Sequence, residues 1–475
     1  MNPTITPISR SAAEKAHFIR NHLPSHGLFA GQEWRISPDP LPLGLPLARE
    51  LESLGRVLLQ FNRAVNLLYR QSAAGKQPEW IARWLDLGKP AELIELQRDA
   101  AFKNEVPRVI RPDLLLTDHG FSITELDSVP GGIGLTGWLN QTYSKLQSSN
   151  GNMENGADTS TLSPTRWPME RGPRSFESGE ILGGSDGMRN GFAGIFGEAP
   201  RVHIVVSEEA GTYRPEMEWL AEQIDSARFH VRDARFSEFA RGDAIYRFFE
   251  LFDLANVPSS KSIFAMAHAK EVALTPPPKT FFEEKMLFAL LWNRNLREFW
   301  RQQLGESFLQ RMLGHTPYTW IVDPAPLPPH GAIPELNLTN WHQLKLFSQK
   351  ERELILKVSG FSEHAWGARG VYLGSDLSHA EWSEAVDRAL RHFNESPFVL
   401  QRYEKPKVIQ SHWWDFEKAA LIPMAGRVRL CPYYFVIGEG DAARAHLGGV
   451  LATICPADKK IIHGMKEAIL APCSV

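Results

Sequence analysis

Apolar residues recur every three to four positions over 47–68 and again over 81–96, the spacing of helices with one buried face, so the chain predicts a helical region near its start. The period then shortens. The run Leu114-Leu115-Leu116, the turn Asp118-His119-Gly120 and the return 121–127 predict a β-hairpin closed by a three-residue loop with glycine last. That register pairs Thr117 with Phe121, Asp113 with Glu125 and Arg111 with Asp127. Helical spacing resumes over 135–146. Over 147–195 Ser, Gly, Asn and Pro dominate and periodicity disappears, which predicts a long flexible insertion containing Asp186 and Arg189. A strand over 201–207, an amphipathic helix over 213–224 and a strand over 229–234 predict a βαβ unit with a parallel sheet. Further on come a helix over 281–292 carrying Lys285, an apolar strand over 353–358 ending near Lys357, and a helix over 378–393 opened by the capping-box pattern Ser378-His-Ala-Glu381. Strands follow over 398–404 and 427–436. The fold class is α/β (α+β), divided into 1–146, 147–195, 196–275 and 276–475.

A length of 475 residues allows two or three domains and a large core. A net charge of −3 without a basic run argues against nucleic acid or an anionic membrane as partner. The sequence has no uninterrupted apolar stretch of about 18 residues, and its first residues lack the apolar centre of a signal peptide. Cys431, Cys455 and Cys473 form neither a zinc pattern nor a disulfide framework and suit a reducing, cytoplasmic setting.

In the predicted hairpin, alternation sends Arg111, Asp113, Glu125 and Asp127 to one face. Facing like charges destabilise a strand pair unless something positive lies between them. Arg111 supplies one positive charge, and oxygen ligands on rigid strands suit Mg²⁺. A surface hairpin with one salt bridge accounts for the same charges. Ser128-Val-Pro-Gly131-Gly132-Ile-Gly then enters a helix, where backbone N–H groups can approach an anion, although such clusters are commonly turns. A lysine within an apolar strand, as at Lys357, calls for an anionic partner. Gly360, Gly367 and Gly370 after it suit a flexible flap over phosphates. No P-loop pattern GxxxxGK[ST] occurs.

Arg111-Pro-Asp113 followed by Glu125-Leu-Asp127, with a strand lysine and glycine-rich flap more than two hundred residues later, resembles the circularly permuted ATP-grasp ligases. The likeness is to the synthetase domain of glutathionylspermidine synthase and, more distantly, to eukaryotic-type glutathione synthetase. It runs from about Val106 to the C-terminus, with the metal hairpin first and the nucleotide lysine last. The resemblance implies an inserted βαβ substrate subdomain over 196–275, nucleotide-binding subdomains over 276–475, and ATP with Mg²⁺ as cofactors. By the same resemblance Asp113, Glu125 and Asp127 hold the metal, Asp127 standing where the family has asparagine. Lys285 and Lys357 neutralise phosphates. Glu363 and His364 fall where the flap meets ATP, and Gln401, Arg402, Tyr403 and Glu404 match the adenine hinge. Arg429 lies where an ATP contact is expected. Substrate candidates are Ser128, Gly131 and Gly132, and the loop residues Glu208, Glu209 and Thr212 for a cationic amine, which equally suit a helix cap. Arg247 suits a substrate carboxylate or a structural ion pair.

Bifunctional glutathionylspermidine synthases carry an N-terminal cysteine amidase, which is not expected here because the first cysteine is Cys431. Gly449-Val450-Leu451 stands where glutathione synthetases carry Arg-x-Lys, so glutathione recognition is not expected. The implied activity is ATP- and Mg-dependent ligation of a small-molecule carboxylate to an amine through an acyl phosphate, with Arg111 and Lys357 as catalytic groups. The alternatives are a catalytically silent ATP-binding or scaffold protein, and a phosphotransferase that needs no amine.

Overall fold

The computed structural model describes residues 10–24, 34–148, 176–328, 331–365, 369–460, 462 and 467–475. Its largest sheet runs in the order Arg35–Ile36, Ile469–Ser474, Arg444–Pro456, Ala420–Ile437, Val109–Thr117, Gly120–Asp127, with Val408–Asp415 also paired to Ala420–Ile437. Alternation along Ala420–Ile437 splits its residues between two cores. Val428, Leu430, Tyr434 and Val436 pack toward the long helix Leu45–Ala73. Cys431, Tyr433 and Phe435 pack toward the helices Ile133–Ser148 and Gly187–Gly194.

The hairpin Val109–Thr117 and Gly120–Asp127 forms, with Arg111 paired to Asp127 and Asp113 to Glu125. The route to that register differs from the expected one. The turn has only two residues, Asp118 and His119, so Thr117 pairs with Gly120 and not with Phe121. The missing residue reappears as a β-bulge at Thr124, between the pairs Asp113/Glu125 and Leu114/Ile123. A bulge re-aims the side chains beyond it. Phe121 and Ile123 therefore face the helical core with Leu114, while Glu125 and Asp127 turn to the opposite face beside Arg111.

Val202–Val206 pairs in parallel with Phe229–Asp233 and Ala244–Phe248, and the latter with Ala273–Thr275. This extends the expected βαβ unit to four parallel strands. A third sheet, antiparallel, orders Val371–Leu373, Leu354–Val358, Phe398–Arg402 and Thr319–Ile321. Helix His379–Arg391 covers it through Trp382, Ala385, Val386 and Ala389. Its predicted capping box forms, Ser378 N donating to Glu381 Oε2 at 2.8 Å.

Three expectations are corrected. The helix over 81–96 breaks into Glu79–Asp86 and Ala91–Arg98, because Gly88 takes φ +72° and Pro90 removes a donor. Lys285 precedes its helix, Met286–Trp292, as the N-cap residue. Residues 149–175 of the expected insertion lie outside the described residues, but 176–195 are folded: Met188 and Phe192 are fully buried. The glycines there serve close approach. A Cβ at Gly191 would overlap the Phe435 ring, and one at Gly187 would sit 2.5 Å from Gly448 O. Among the described residues no helix is long and apolar enough to cross a membrane.

Candidate active site

The bulged hairpin presents its charges to residues from the far end of the chain. Arg111 bridges two carboxylates, its Nη2 lying 3.1 Å from Asp113 Oδ1 and 2.9 Å from Asp127 Oδ2. Arg429, on the neighbouring strand, reaches Asp113 Oδ2 at 3.1 Å, and the Cys431 thiol donates to Asp113 Oδ1 at 3.4 Å. Lys285 Nζ lies 2.8 Å from Glu125 Oε1 and donates to Ala365 O at 3.0 Å. Lys357 Nζ donates to Thr124 O, the carbonyl freed by the bulge, at 3.4 Å, and to Gln401 Oε1 at 2.9 Å. Four cations and three carboxylates from sequence-distant segments thus share one spot.

Burial and neighbours move these groups in different directions. Burial pushes Lys357 down to about 8, with Glu125 opposing and Lys285 reinforcing the shift. For Lys285 burial is outweighed by Glu125, and its pKa rises. Burial likewise works against the Asp113 carboxylate, but Arg111 and Arg429 together hold it below its ordinary value. Asp127 is raised by burial and by the charge on Glu125, against Arg111.

Among the described residues no three His, Cys, Asp or Glu side chains are gathered to hold a metal. Both Asp113 oxygens are engaged, by Arg111, Arg429 and the Cys431 thiol, and both Asp127 oxygens are engaged too, by Arg111 and the Val129 N–H. Glu125 retains a second carboxylate oxygen on a side chain 38% exposed, next to a half-buried Asp127 whose pKa is raised by desolvation and by Glu125. Two carboxylates of this kind fit Mg²⁺, which takes most of its shell from water and nucleotide phosphates.

The remaining candidates divide. Ser128 is buried with its hydroxyl unpartnered. Gly131 O accepts from Tyr433 Oη at 2.7 Å and from Arg111 Nη1 at 3.3 Å. Gly132, at φ +88°, donates its N–H to Glu216 Oε1 at 2.6 Å, and Leu135 N donates to Glu216 Oε2 at 3.2 Å. The anion position expected at this helix N-terminus is therefore filled by the chain's own carboxylate. Burial raises Glu216 to about 7 despite those N–H groups.

Arg247 is buried and fully engaged by Glu283 Oε1 at 2.7 Å and by the carbonyls of Phe249, Pro276 and Pro277. This is the structural ion pair, and it leaves no fork for a substrate carboxylate. Glu209 pairs with Arg369 of the flap at 3.3 Å. Glu208 and Thr212 are exposed, and Glu208 lines a cavity of about 650 Å³ with Ser207, Arg214, Asp233 and Arg235. That cavity lies beyond the carboxyl ends of two parallel strands, where ligands of such sheets bind.

In the flap Gly370 is buried and Gly360 packs on Glu283 and Glu284, whereas Gly367 lies outside the described residues. Glu363 and His364 are exposed on a short turn, their side chains 3.9 Å apart, and His364 N donates to Ser362 Oγ at 3.2 Å. In the hinge, Gln401 points inward at Lys357. Arg402 is exposed, 3.8 Å from Glu335, Tyr403 N donates to Glu353 O at 3.0 Å, and burial raises Glu404.

Sequence reading missed several partners of this site. Glu216 looks like an ordinary first-turn acid, and Glu250 like part of an apolar strand. Glu250 hydrogen-bonds Glu283, and burial together with that carboxylate and Asp127 raises it well above its usual value. Only the tertiary fold brings these residues to the hairpin.

No family model matches the sequence, and no curated protein matches it. The fold is similar to that of a glutathione synthetase-like effector from Globodera pallida, solved in its apo form, with TM-score 0.51 at 11% identity over 100% of this chain and 98% of that one. A protein assigned as a gamma-glutamylcysteine synthetase from Methylobacillus flagellatus aligns over 88% of each chain at 12% identity, with TM-score 0.38. The likeness at full coverage shows a shared mixed α/β fold.

Proposed function

We propose that this chain is an ATP-dependent carboxylate–amine ligase of the permuted ATP-grasp type, forming an amide through an acyl phosphate. The observation that carries the reading is the convergence of the hairpin near the front of the chain with Lys357 near its back, Lys285 bridging them through Glu125. Lys285, Lys357, Arg111 and Arg429 form a cationic wall suited to a polyphosphate. Glu125 and Asp127 would hold Mg²⁺, which when bound neutralises phosphate charge.

A carboxylate oxygen attacks the γ-phosphorus of ATP, and ADP leaves. The amine nitrogen then attacks the acyl carbon, expelling inorganic phosphate and losing a proton. Positioning and electrostatics suffice for such a transfer, and no covalent enzyme intermediate is invoked. The substrates are a small carboxylic acid and an amine. Glutathione is not proposed, given Gly449-Val450-Leu451.

The test is ADP release across a panel of acids and amines. Glu125→Ala and Lys357→Ala should abolish amine-dependent release while circular dichroism shows an intact fold; retained turnover in both rules the ligase out. The engagement of both Asp113 oxygens favours a second reading, a protein that binds ATP without turnover. Calorimetric binding of ATP with no release for any amine would select it, and ADP release without an amine would indicate a phosphotransferase.

A further inference from the structure

The segment leading into Lys285 is tied to the N-terminal helical region at three successive points. Lys279 Nζ donates to Asn66 Oδ1 at 2.7 Å and to Glu105 O at 2.8 Å. Thr280 donates from N and Oγ1 to Gln97 Oε1 at 3.2 and 2.8 Å. Glu284 Oε1 accepts from Lys89 Nζ at 2.6 Å, and both side chains are fully buried.

The last tie reaches furthest. The other Glu284 oxygen accepts from Ser359 Oγ. Ser359 in turn accepts Lys285 N on its carbonyl at 2.8 Å and Met286 N on its hydroxyl at 2.9 Å. Lys89 Nζ also stands 5.6 Å from the centroid of Phe361 at the root of the flap. A Cβ at Gly360, between Ser359 and Phe361, would lie 2.5 Å from Glu283 O and 2.8 Å from Glu284 Cδ. Glu284 is thus one residue from Lys285, and its partner Ser359 two residues from Lys357.

We propose that Glu284, held by Lys89, is a positioning residue that fixes the Lys285 and Lys357 ammonium groups relative to each other, so that the N-terminal helices shape a phosphate site they do not touch. The proposal rests on the nucleotide-binding reading above. Stability alone does not account for the pair, because buried ion pairs are often no better for stability than apolar residues of similar volume, whereas losing one partner is damaging. The pair differs from an apolar replacement in supplying the acceptor that orients Ser359, and through it both lysine-bearing segments.

That difference defines the experiment. Binding of a non-hydrolysable ATP analogue with magnesium is measured by calorimetry on the full chain, alongside thermal melting, for wild type, Ser359→Ala and the double variant Lys89→Met/Glu284→Leu. Melting temperatures near wild type with affinities about tenfold or more weaker, as for outer partners of ligand-holding groups, are expected. Wild-type affinity in either folded variant overturns the proposal, and if the double variant does not fold, Ser359→Ala decides alone. Failure of the wild type itself to bind counts against the nucleotide reading, and the proposal falls with it.

Discussion

Lys357 Nζ donates to Gln401 Oε1 at 2.9 Å, so the buried ammonium meets a neutral carbonyl where a carboxylate would have held it charged. Burial brings its pKa down to about 8. Below that value the group is charged and attracts phosphate; above it the attraction is lost. Affinity for ATP should therefore fall as pH rises through about 8. Stability runs the other way: between about 8 and the unfolded value of 10.5 the unfolded chain binds more protons, so this group makes the apo protein more stable as pH rises. Gln401→Glu should move the binding midpoint upward, readable by calorimetry at a series of pH values; an unmoved midpoint would assign the titration to another group.

Asp127 is raised by burial and by Glu125, so its charge is held at a cost. Asp127→Asn keeps an acceptor for Val129 N, which now donates to Oδ1 at 2.8 Å. Removing the charge relieves the burial and repulsion that raise Asp127, so the variant should be the more stable at pH 7. It should also increase the magnesium concentration needed for half-maximal ADP release. Denaturant melts and a magnesium titration check both, and a lower magnesium requirement would remove Asp127 from the metal site.

The hairpin charges were legible because a strand period of two is local. Arg111 and Asp127, like Asp113 and Glu125, pair as the sequence predicts, although a two-residue turn and a bulge at Thr124 replace the expected three-residue turn. Both routes contain one extra residue, and the outer register cannot tell them apart. The partners supplied by distant segments were not legible. Lys89, Glu216 and Glu284 look like ordinary surface charges in their own stretches, and only the packed fold buries them. For Arg247 the sequence leaves a substrate carboxylate and a structural ion pair equally open, and its fork meets a carboxylate inside the protein, at Glu283.

Glycine composition misled for a different reason. Over 176–195 the glycines were read as flexibility, yet at Gly187 and Gly191 the absent side chain admits the strands carrying Gly448 and Phe435. Gly191→Ala should therefore destabilise the protein by about 1–3 kcal/mol, the usual effect of overpacking, in spite of the better helix propensity of alanine. A denaturant melt measures it. A neutral or stabilising effect would mean that this helix does not pack tightly on the sheet.

Glu216 clamps the Gly132 turn through a carboxylate that burial raises to about 7, from an ordinary 4.5. The sign follows from proton counting. Between these values the folded chain binds the extra proton, so the contribution of this group to stability is present below about 4.5 and declines as pH rises toward 7. The shift corresponds to about 3 kcal/mol. Glu216→Gln keeps an oxygen for the Gly132 N–H but no longer titrates, so the slope of unfolding free energy against pH between 4.5 and 7 should flatten by an amount of that order. The amide nitrogen would then face Leu135 N, and two donors do not pair. The variant should accordingly be less stable than wild type at pH 5 and closer to it at pH 7. Unfolding curves at the two pH values test this, and an unchanged slope would show that Glu216 stays ionised against the helix N-terminus throughout.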